Sequence, residues 1–296
     1  MLDYKALSSV LLLGFVAACA PRTLTLVDFP ADAGLAPDAT DAGILPDLAD
    51  AGVAPDSADG NPGDAFDTGA PANLRLGLVG LWHLDDGVGS AVAVDSSGNG
   101  NDGTLVGLDK ALAWTAGRQG GALALNGAGY VLVPSSASIN GITTQVTVSA
   151  WVFLDGAISA TDLYGTAISR ETGNTDLQFY HLSLYQDGAP TLFIGMSPTI
   201  VGVRVAASQN VAHRQWTHLA GTYDGARAVL YVNGVEVASR PISGTLPADT
   251  TPVILGGNGN KVGITEWFPG SLDEIALFDR ALSPEEIHQL STAVSF

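Results

Sequence analysis

The sequence predicts an all-β protein: a two-sheet antiparallel jellyroll sandwich with a short C-terminal helix, preceded by a disordered linker. Three observations predict it. From about residue 76 onward, short runs of alternating apolar and polar residues follow one another between Gly-rich turns, as expected of strands buried on one face. Two of these runs meet at Asn233-Gly234, the pair a tight type I′ hairpin turn favours because both residues need positive φ. Helical signals gather only after Ser283, and many strands with one helix leave a sandwich as the layer architecture.

The elements follow in order. Residues 1–19 read as an export signal. Lys5 supplies its charge, weakened by Asp3, and Ala6 to Ala18 is mostly apolar but too short to span a bilayer. The stretch ends in Val16-Ala17-Ala18-Cys19, which resembles a bacterial lipobox, so Cys19 is the expected lipidation site. A plain signal peptide with a chance cysteine is the alternative. Ala20 follows the cysteine, which in some bacteria points to the outer membrane. The expectation is an exported, membrane-anchored lipoprotein at the outer membrane or cell surface. Residues 20–75 form the linker. A nine-residue unit recurs there, from Asp32-Ala33-Gly34 to Pro37-Asp38, then from Asp41 to Asp47 and from Asp50 to Asp56. Ten aspartates face only Arg22 and Arg75, and such a proline-broken, self-repelling tract cannot bury a core. As a flexible coil it would average about 40 Å end to end.

Residues 76–296 form the sandwich. Leu78 to Leu84 reads as the opening strand, Thr147 to Leu154 as a long strand rich in β-branched and aromatic residues, and Phe179 to Tyr185 as a strand leading through Gln186-Asp187-Gly188 into Thr191–Ile194. Ala228 to Val232 and Val235 to Val237 flank the Asn-Gly turn. The last strand alternates Leu272, Glu274, Ala276 and Phe278 against Asp273, Ile275, Leu277 and Asp279. Ser283 then caps the helix, Pro284 suits its first position and Glu286 closes a capping box.

Composition excludes several functions. The 296 residues carry a formal net charge of -18, with 30 acidic against 12 basic side chains, so no basic stripe is available for nucleic acid or for anionic lipid headgroups. A single cysteine makes no internal disulfide, and the fold must rest on its core.

Five segments, in order, resemble the LamG-like (concanavalin A-like) jellyroll family: Leu78 to Gly87, Asp95 to Gly103, Gly120 to Gly127, Gln215 to Gly225, and the closing run Phe268 to Ile287. The resemblance covers about residues 76–291. It implies a domain that binds at cell surfaces and only sometimes catalyses. Members often carry an aspartate just before the Tyr-Val of the third segment's continuation, whereas Ala128-Gly129 precede Tyr130-Val131 here. The family also often holds one structural calcium. In the loop from Asp95, oxygen side chains stand at Asp95, Ser97 and Asn99 with Gly100 next, a spacing that curls oxygens toward one centre. Val106 stands where a helix-flanked calcium loop needs glutamate, so Asp273 from another strand is the expected further ligand. A Gly-Asn turn bonded to itself is the alternative.

Trp82, Trp151 and Trp216 lie in apolar strands and read as core. Trp114 and Trp267 sit at turns, where an indole either stacks on a sugar ring or caps the sandwich. Tyr164 and Tyr180 are weaker versions of the same choice. His83, His181, His213, His218 and His288 form no zinc pattern. For hydrolysis, strict alternation would send Asp273 and Glu274 to opposite faces, and Asp279 stands about 20 Å from Asp273 along a strand, beyond the spacing of a glycosidase pair. The expected function is therefore a lipid-anchored, non-enzymatic binding module for a glycan or a surface protein. A structural envelope protein packing against partner proteins is the alternative, and a polysaccharide hydrolase the third reading.

Overall fold

A computed structural model describes residues 73–127, 129–171, 178–197, 202–260 and 263–293. The expected signal peptide, Cys19 and the linker up to residue 72 lie outside the described residues. The described chain is the expected all-β sandwich of two antiparallel sheets with two short helices.

Sheet A runs from β14 (Val235–Pro241) through β13 (Arg227–Val232), β12 (Trp216–Tyr223), β7 (Val146–Leu154) and β18 (Gly270–Phe278) to β5 (Gly121–Ala124) and β4 (Trp114–Ala116), and β1 (Leu78–Trp82) also pairs with β18. Sheet B runs from β11 (Val203–Ala206) through β10 (Pro190–Ile194), β9 (Gln178–Tyr185), β8 (Tyr164–Glu171), β15 (Val253–Leu255), β6 (Tyr130–Val133) and β3 (Gly103–Val106) to β2 (Val92–Ala93). A small hairpin joins β16 (Asn258–Asn260) to β17 (Gly263–Thr265). The core lies between the sheets. Val148, Val152, Leu219, Leu272 and Leu277 face it from sheet A, and Leu182, Leu184, Leu192 and Ile194 from sheet B. Each such side chain contributes about 1.5–3 kcal/mol by leaving water. The β9–β10 and β13–β14 hairpins form as expected. Asn233 (φ 49) and Gly234 (φ 80) both take positive φ at the second turn, and a side chain at Gly234 would collide with Ser291.

Helix α1 (Ala137–Asn140) is a single turn, and α2 (Pro284–Thr292) is the expected C-terminal helix. Its capping box is complete: Glu286 N–H donates to Ser283 Oγ at 3.2 Å, and Ser283 N–H to Glu286 Oε2 at 2.8 Å. The helix covers part of the outer face of sheet A, where Leu78, Leu81, Ala276 and Phe278 meet Ile287 and Leu290. Leu74, just before the expected start of the domain, joins this second cluster.

The closing strand departs from strict alternation. Asp273 pairs with Trp151, but the next pair is Ala276 with Ser149, so β18 spends three steps where β7 spends two. This β-bulge centres on Glu274, which adopts φ 47. Leu272 and Ile275 both enter the core, and the two acidic side chains between them both lie on the outer face of sheet A. The expectation that Asp273 and Glu274 face opposite ways is corrected.

Candidate functional site

The outer face of sheet B carries a shelf of aromatic side chains over a buried polar floor. Alternation builds it. In β9, Leu182 and Leu184 face the core, so His181, Ser183 and Tyr185 face outward. In β10, Leu192 and Ile194 face in and Phe193 faces out, in register with His181. Thr166 of β8 lies on the same floor, and Tyr164 stands at its start. Tyr164, Tyr185 and Phe193 are half-buried. The Tyr164 ring meets Tyr185, Phe193 and His181 edge-on at 5.3, 5.4 and 5.9 Å between centroids, while His181 stacks on Phe193 at 5.2 Å.

Charge is placed beside these rings. His181 Nε2 lies 2.6 Å from Thr166 Oγ1 and 3.5 Å from Glu266 Oε2. Burial lowers the His181 pKa to about 3, so the imidazole is neutral at physiological pH. Glu266 accepts from Asn258 Nδ2 at 3.0 Å and from Thr166 Oγ1 at 3.3 Å. Burial nevertheless pushes its carboxyl up to about 7, against the pull of those hydrogen bonds and with the help of the nearby Glu171 charge. Glu266 takes φ 53, and its backbone carbonyl accepts Thr166 N–H at 3.0 Å. Trp267 follows it in the chain, half-buried, 5.7 Å from the Tyr130 ring. Tyr130 faces outward from β6, because Val131 and Val133 face the core. Tyr164 and Trp267 thus flank one titratable carboxylate on one sheet face. Rings that offer an edge or face, next to hydrogen-bonding groups, suit a ligand with alternating C–H and O–H surface.

Residues 125–288, more than half of the chain, match the model of the concanavalin A-like lectin/glucanases superfamily. The chain belongs to this superfamily. Domain 4 of the extracellular arabinanase AbnA from Geobacillus stearothermophilus, solved in complex with arabinotriose, is similar at 26% identity and a TM-score of 0.55, over 73% of this chain and 98% of that domain. The binding domain of Paraclostridial Mosquitocidal Protein 1 is similar at 20% identity and a TM-score of 0.56, over 74% of this chain and 52% of that one. Trypanosoma rangeli sialidase is similar at 16% identity and a TM-score of 0.55, over 74% of this chain and only 33% of the sialidase. The last two likenesses concern the fold alone. No curated protein matches at a significant level. The superfamily fold thus occurs both in hydrolases and in modules that bind.

The other expected site residues of this superfamily member lie elsewhere. Trp114 is buried in the core between the sheets, and its indole N–H donates to Ser90 O at 3.1 Å. Tyr180 is fully buried in the same core, and burial drives its pKa well above the ordinary tyrosine value. Trp82 is core as expected, but Trp151 and Trp216 are not between the sheets. Each pairs in register with an outward residue of sheet A, Trp151 with His218 and Trp216 with Phe153.

The loop from Asp95 takes the self-bonded turn form. Asp95 Oδ1 accepts Leu81 N–H and Ser97 N–H at 2.9 Å each, and Oδ2 accepts the Ser97 hydroxyl and Asn101 N–H at 2.8 Å each. Asn99 turns its Nδ2 donor to Leu78 O and Val79 O, at 2.9 and 3.1 Å. Oxygens already filled by donors do not fit a calcium ion, which needs six to eight free ones. Asp273 bonds a different set: its carboxylate accepts Gln119 N–H at 3.0 Å and Glu274 N–H at 2.8 Å. Among the described residues no three His, Cys, Asp or Glu side chains converge as a metal site.

Asp273 belongs to a second polar cluster, on the outer face of sheet A. Burial pushes its carboxyl up to about 7 despite those N–H donors, and the adjacent Glu274 adds to the rise. Glu274 bonds His83 Nδ1 at 2.8 Å, which raises the histidine pKa. His218 Nε2 lies 2.8 Å from Ser149 Oγ, and burial lowers its pKa to about 3. Arg118 lies 4.7 Å over the Trp151 ring. The two carboxylates stand side by side, yet Asp273 is 0% exposed and both are engaged in holding the Gly117–Gly121 turn and His83.

Proposed function

We propose that this protein is a lipid-anchored, non-enzymatic module that binds a glycan on the outer face of sheet B. The observation that carries the reading is the half-buried group of Tyr164, Tyr185 and Phe193 above a hydrogen-bonded floor, with Glu266 and Trp267 at one end. A pyranose or furanose ring stacks its C–H face on such rings and bonds its hydroxyls to the adjacent carboxylate and amide. The arabinotriose complex of the similar arabinanase domain supports a glycan as the ligand class. Cys19 and the acidic linker would hold the module away from the membrane. On this reading a protein partner is a second possible occupant of the same surface, and no hydrolysis is expected.

A glycan array with the purified chain, starting from arabinotriose and other plant oligosaccharides, tests it. Binding is expected, and Tyr164→Ala or Trp267→Ala lowers affinity at least tenfold while the melting temperature is largely kept. A stable protein partner from envelope extract with no glycan signal overturns the ligand class, and turnover of a polysaccharide overturns the non-enzymatic assignment. Mass spectrometry of the N-terminal peptide checks for a diacylglycerol on Cys19.

A further inference from the structure

The carboxylate of Glu266 has no cation beside it. Asp155, Glu236 and Glu286 each have an arginine within ion-pair distance. Among the described residues, Glu266 has neither Lys nor Arg at that range, and His181, 3.5 Å away, is neutral. The groups around it accept rather than donate. With the carboxyl ionised, Thr166 Oγ1 donates its proton to Oε2 at 3.3 Å. The 2.6 Å contact between Thr166 Oγ1 and His181 Nε2 must then use the imidazole proton. That leaves His181 Nδ1 a bare lone pair, buried and without a partner. Asn258 donates Nδ2–H to Glu266 Oε2 at 3.0 Å, and Oδ1 of the same amide is also buried and unpartnered. Asn258 is only 5% exposed, and buried polar atoms are normally paired. Three acceptors therefore meet in one place without a spare donor among them.

The charges of Glu171 and Asp162 act with burial to disfavour the ionised form of Glu266, and a bound cation would relieve that strain. The Glu266 side chain keeps 18% exposure, so its carboxylate is reachable from solvent. Aromatic rings border it: Trp267 next in the chain, with Tyr130 5.7 Å away, and Tyr164, whose phenol feels the Glu266 charge. A ring face beside a carboxylate attracts a cation through the ring quadrupole and the charge together. We propose that Glu266, with Trp267 beside it, forms an ammonium subsite, and that the glycan held on the shelf carries an unacetylated amino sugar. An ammonium has three donors and no acceptor, which matches a cluster of acceptors. A lysine of a surface protein offers the same ammonium, but its flexible stem has no flat C–H face to lay on Tyr164, Tyr185 and Phe193. The net charge of -18 adds a pull on cations that is screened beyond about 8 Å at physiological salt. This inference rests on the glycan reading above and adds the charge class of the ligand.

Three trisaccharides with one β-1,4 backbone test it by calorimetry at pH 7. They differ only at C2: cellotriose carries hydroxyls, the N-acetylglucosamine trimer acetamides and the glucosamine trimer ammonium groups. The wild-type chain is expected to bind the glucosamine trimer at least tenfold more tightly than the two neutral trimers. Glu266→Gln is expected to abolish that preference. Glu285→Gln, which removes the same charge from an exposed site on α2, is expected to keep it. Equal binding of the three by the wild type, or a preference that survives Glu266→Gln, overturns the ammonium subsite and leaves the glycan reading standing. Trilysine binding as tightly as the glucosamine trimer overturns the sugar as the source of the ammonium. If no trisaccharide binds, or if Glu266→Gln does not fold, free glucosamine and glucose are titrated into the wild-type chain while the Glu266 carboxyl carbon and the Trp267 indole N–H are followed by NMR. Shifts at both with glucosamine alone uphold the subsite without the shelf, and no shift overturns it.

Discussion

The outer faces of the two sheets are built from nearly the same polar parts and end up with opposite character. Each has a buried histidine whose Nε2 meets a hydroxyl: His218 with Ser149 on sheet A and His181 with Thr166 on sheet B. Each has a carboxyl pushed up to about 7 by burial, Asp273 on sheet A and Glu266 on sheet B. On sheet A, α2 and Arg118 close over the part of the face that holds these groups, and the Phe153–Trp216 pair beside it stays half-buried. On sheet B, tyrosine and phenylalanine rings are left half-buried above the floor. Buried ionisable groups alone therefore do not mark a binding face here; the layer laid over them does.

The largest test removes the cover. Ile287 of α2 is fully buried against the outer face of sheet A, and Ile287→Ala should cost about 2–5 kcal/mol in urea unfolding while leaving glycan affinity unchanged. Loss of affinity in the folded variant would break the division between a sealed face and a binding face.

A second test uses pH. His181 and His218 have folded pKa values of about 3 against an ordinary 6.5, so the stability they contribute is full above 6.5 and is lost as pH falls toward 3. Glu266 and Asp273 run the other way. Their folded pKa values of about 7 exceed the ordinary 4.5 and 3.8, so stability is lost as pH rises from about 4 to 7. The opposing slopes should leave stability nearly flat between about 4.5 and 6.5. Glu266→Gln removes one falling limb, and its stability relative to wild type should climb across pH 4.5–7 by on the order of 1–2 kcal/mol, read from denaturant melts at several pH values. A difference that does not change with pH would show that Glu266 is not held protonated by its surroundings.

Tyr164→Phe sharpens the contrast at smaller cost. The ring contacts remain, so stability should change by less than about 0.5 kcal/mol, and only a ligand that bonds the phenol should bind less well. Smallest of all is the effect of chelation. With the oxygens of Asp95 filled by N–H and O–H donors, EDTA should leave the melting temperature unchanged. A clear drop would mean that a metal, rather than the turn's own hydrogen bonds, organises that loop.

Much of the fold was legible in the sequence because its signals are local. The Asn233-Gly234 turn, the Ser283–Glu286 box and the alternation of β9 and β10 each depend on residues a few positions apart. The bulge at Glu274 was not legible. Asp273-Glu274-Ile275 reads as ordinary alternation, and the extra residue shows only when β18 is laid against β7. Trp151 and Trp216 read as core because an apolar residue in a strand looks alike on the inner face and on an outer face that α2 covers in part. Of the shelf, Tyr164 and Trp267 were named from sequence. Tyr185 and Phe193 could have been, since they are aromatic residues at outward positions between inward leucines. Glu266 could not, because only tertiary pairing brings it to Thr166 and His181.

The position of β18 in sheet A bears on how the chain acquires its structure. Its final strand is the common neighbour of β7, β5 and β1, and Leu78 pairs with Phe278. Until Gly270–Phe278 has been synthesised, sheet A has a gap at its centre and its first strand has no partner. Contacts between segments so distant in sequence make folding slow. The domain should therefore mature only after the ribosome has released nearly all of it, and nascent chains stalled before residue 270 should remain protease-sensitive.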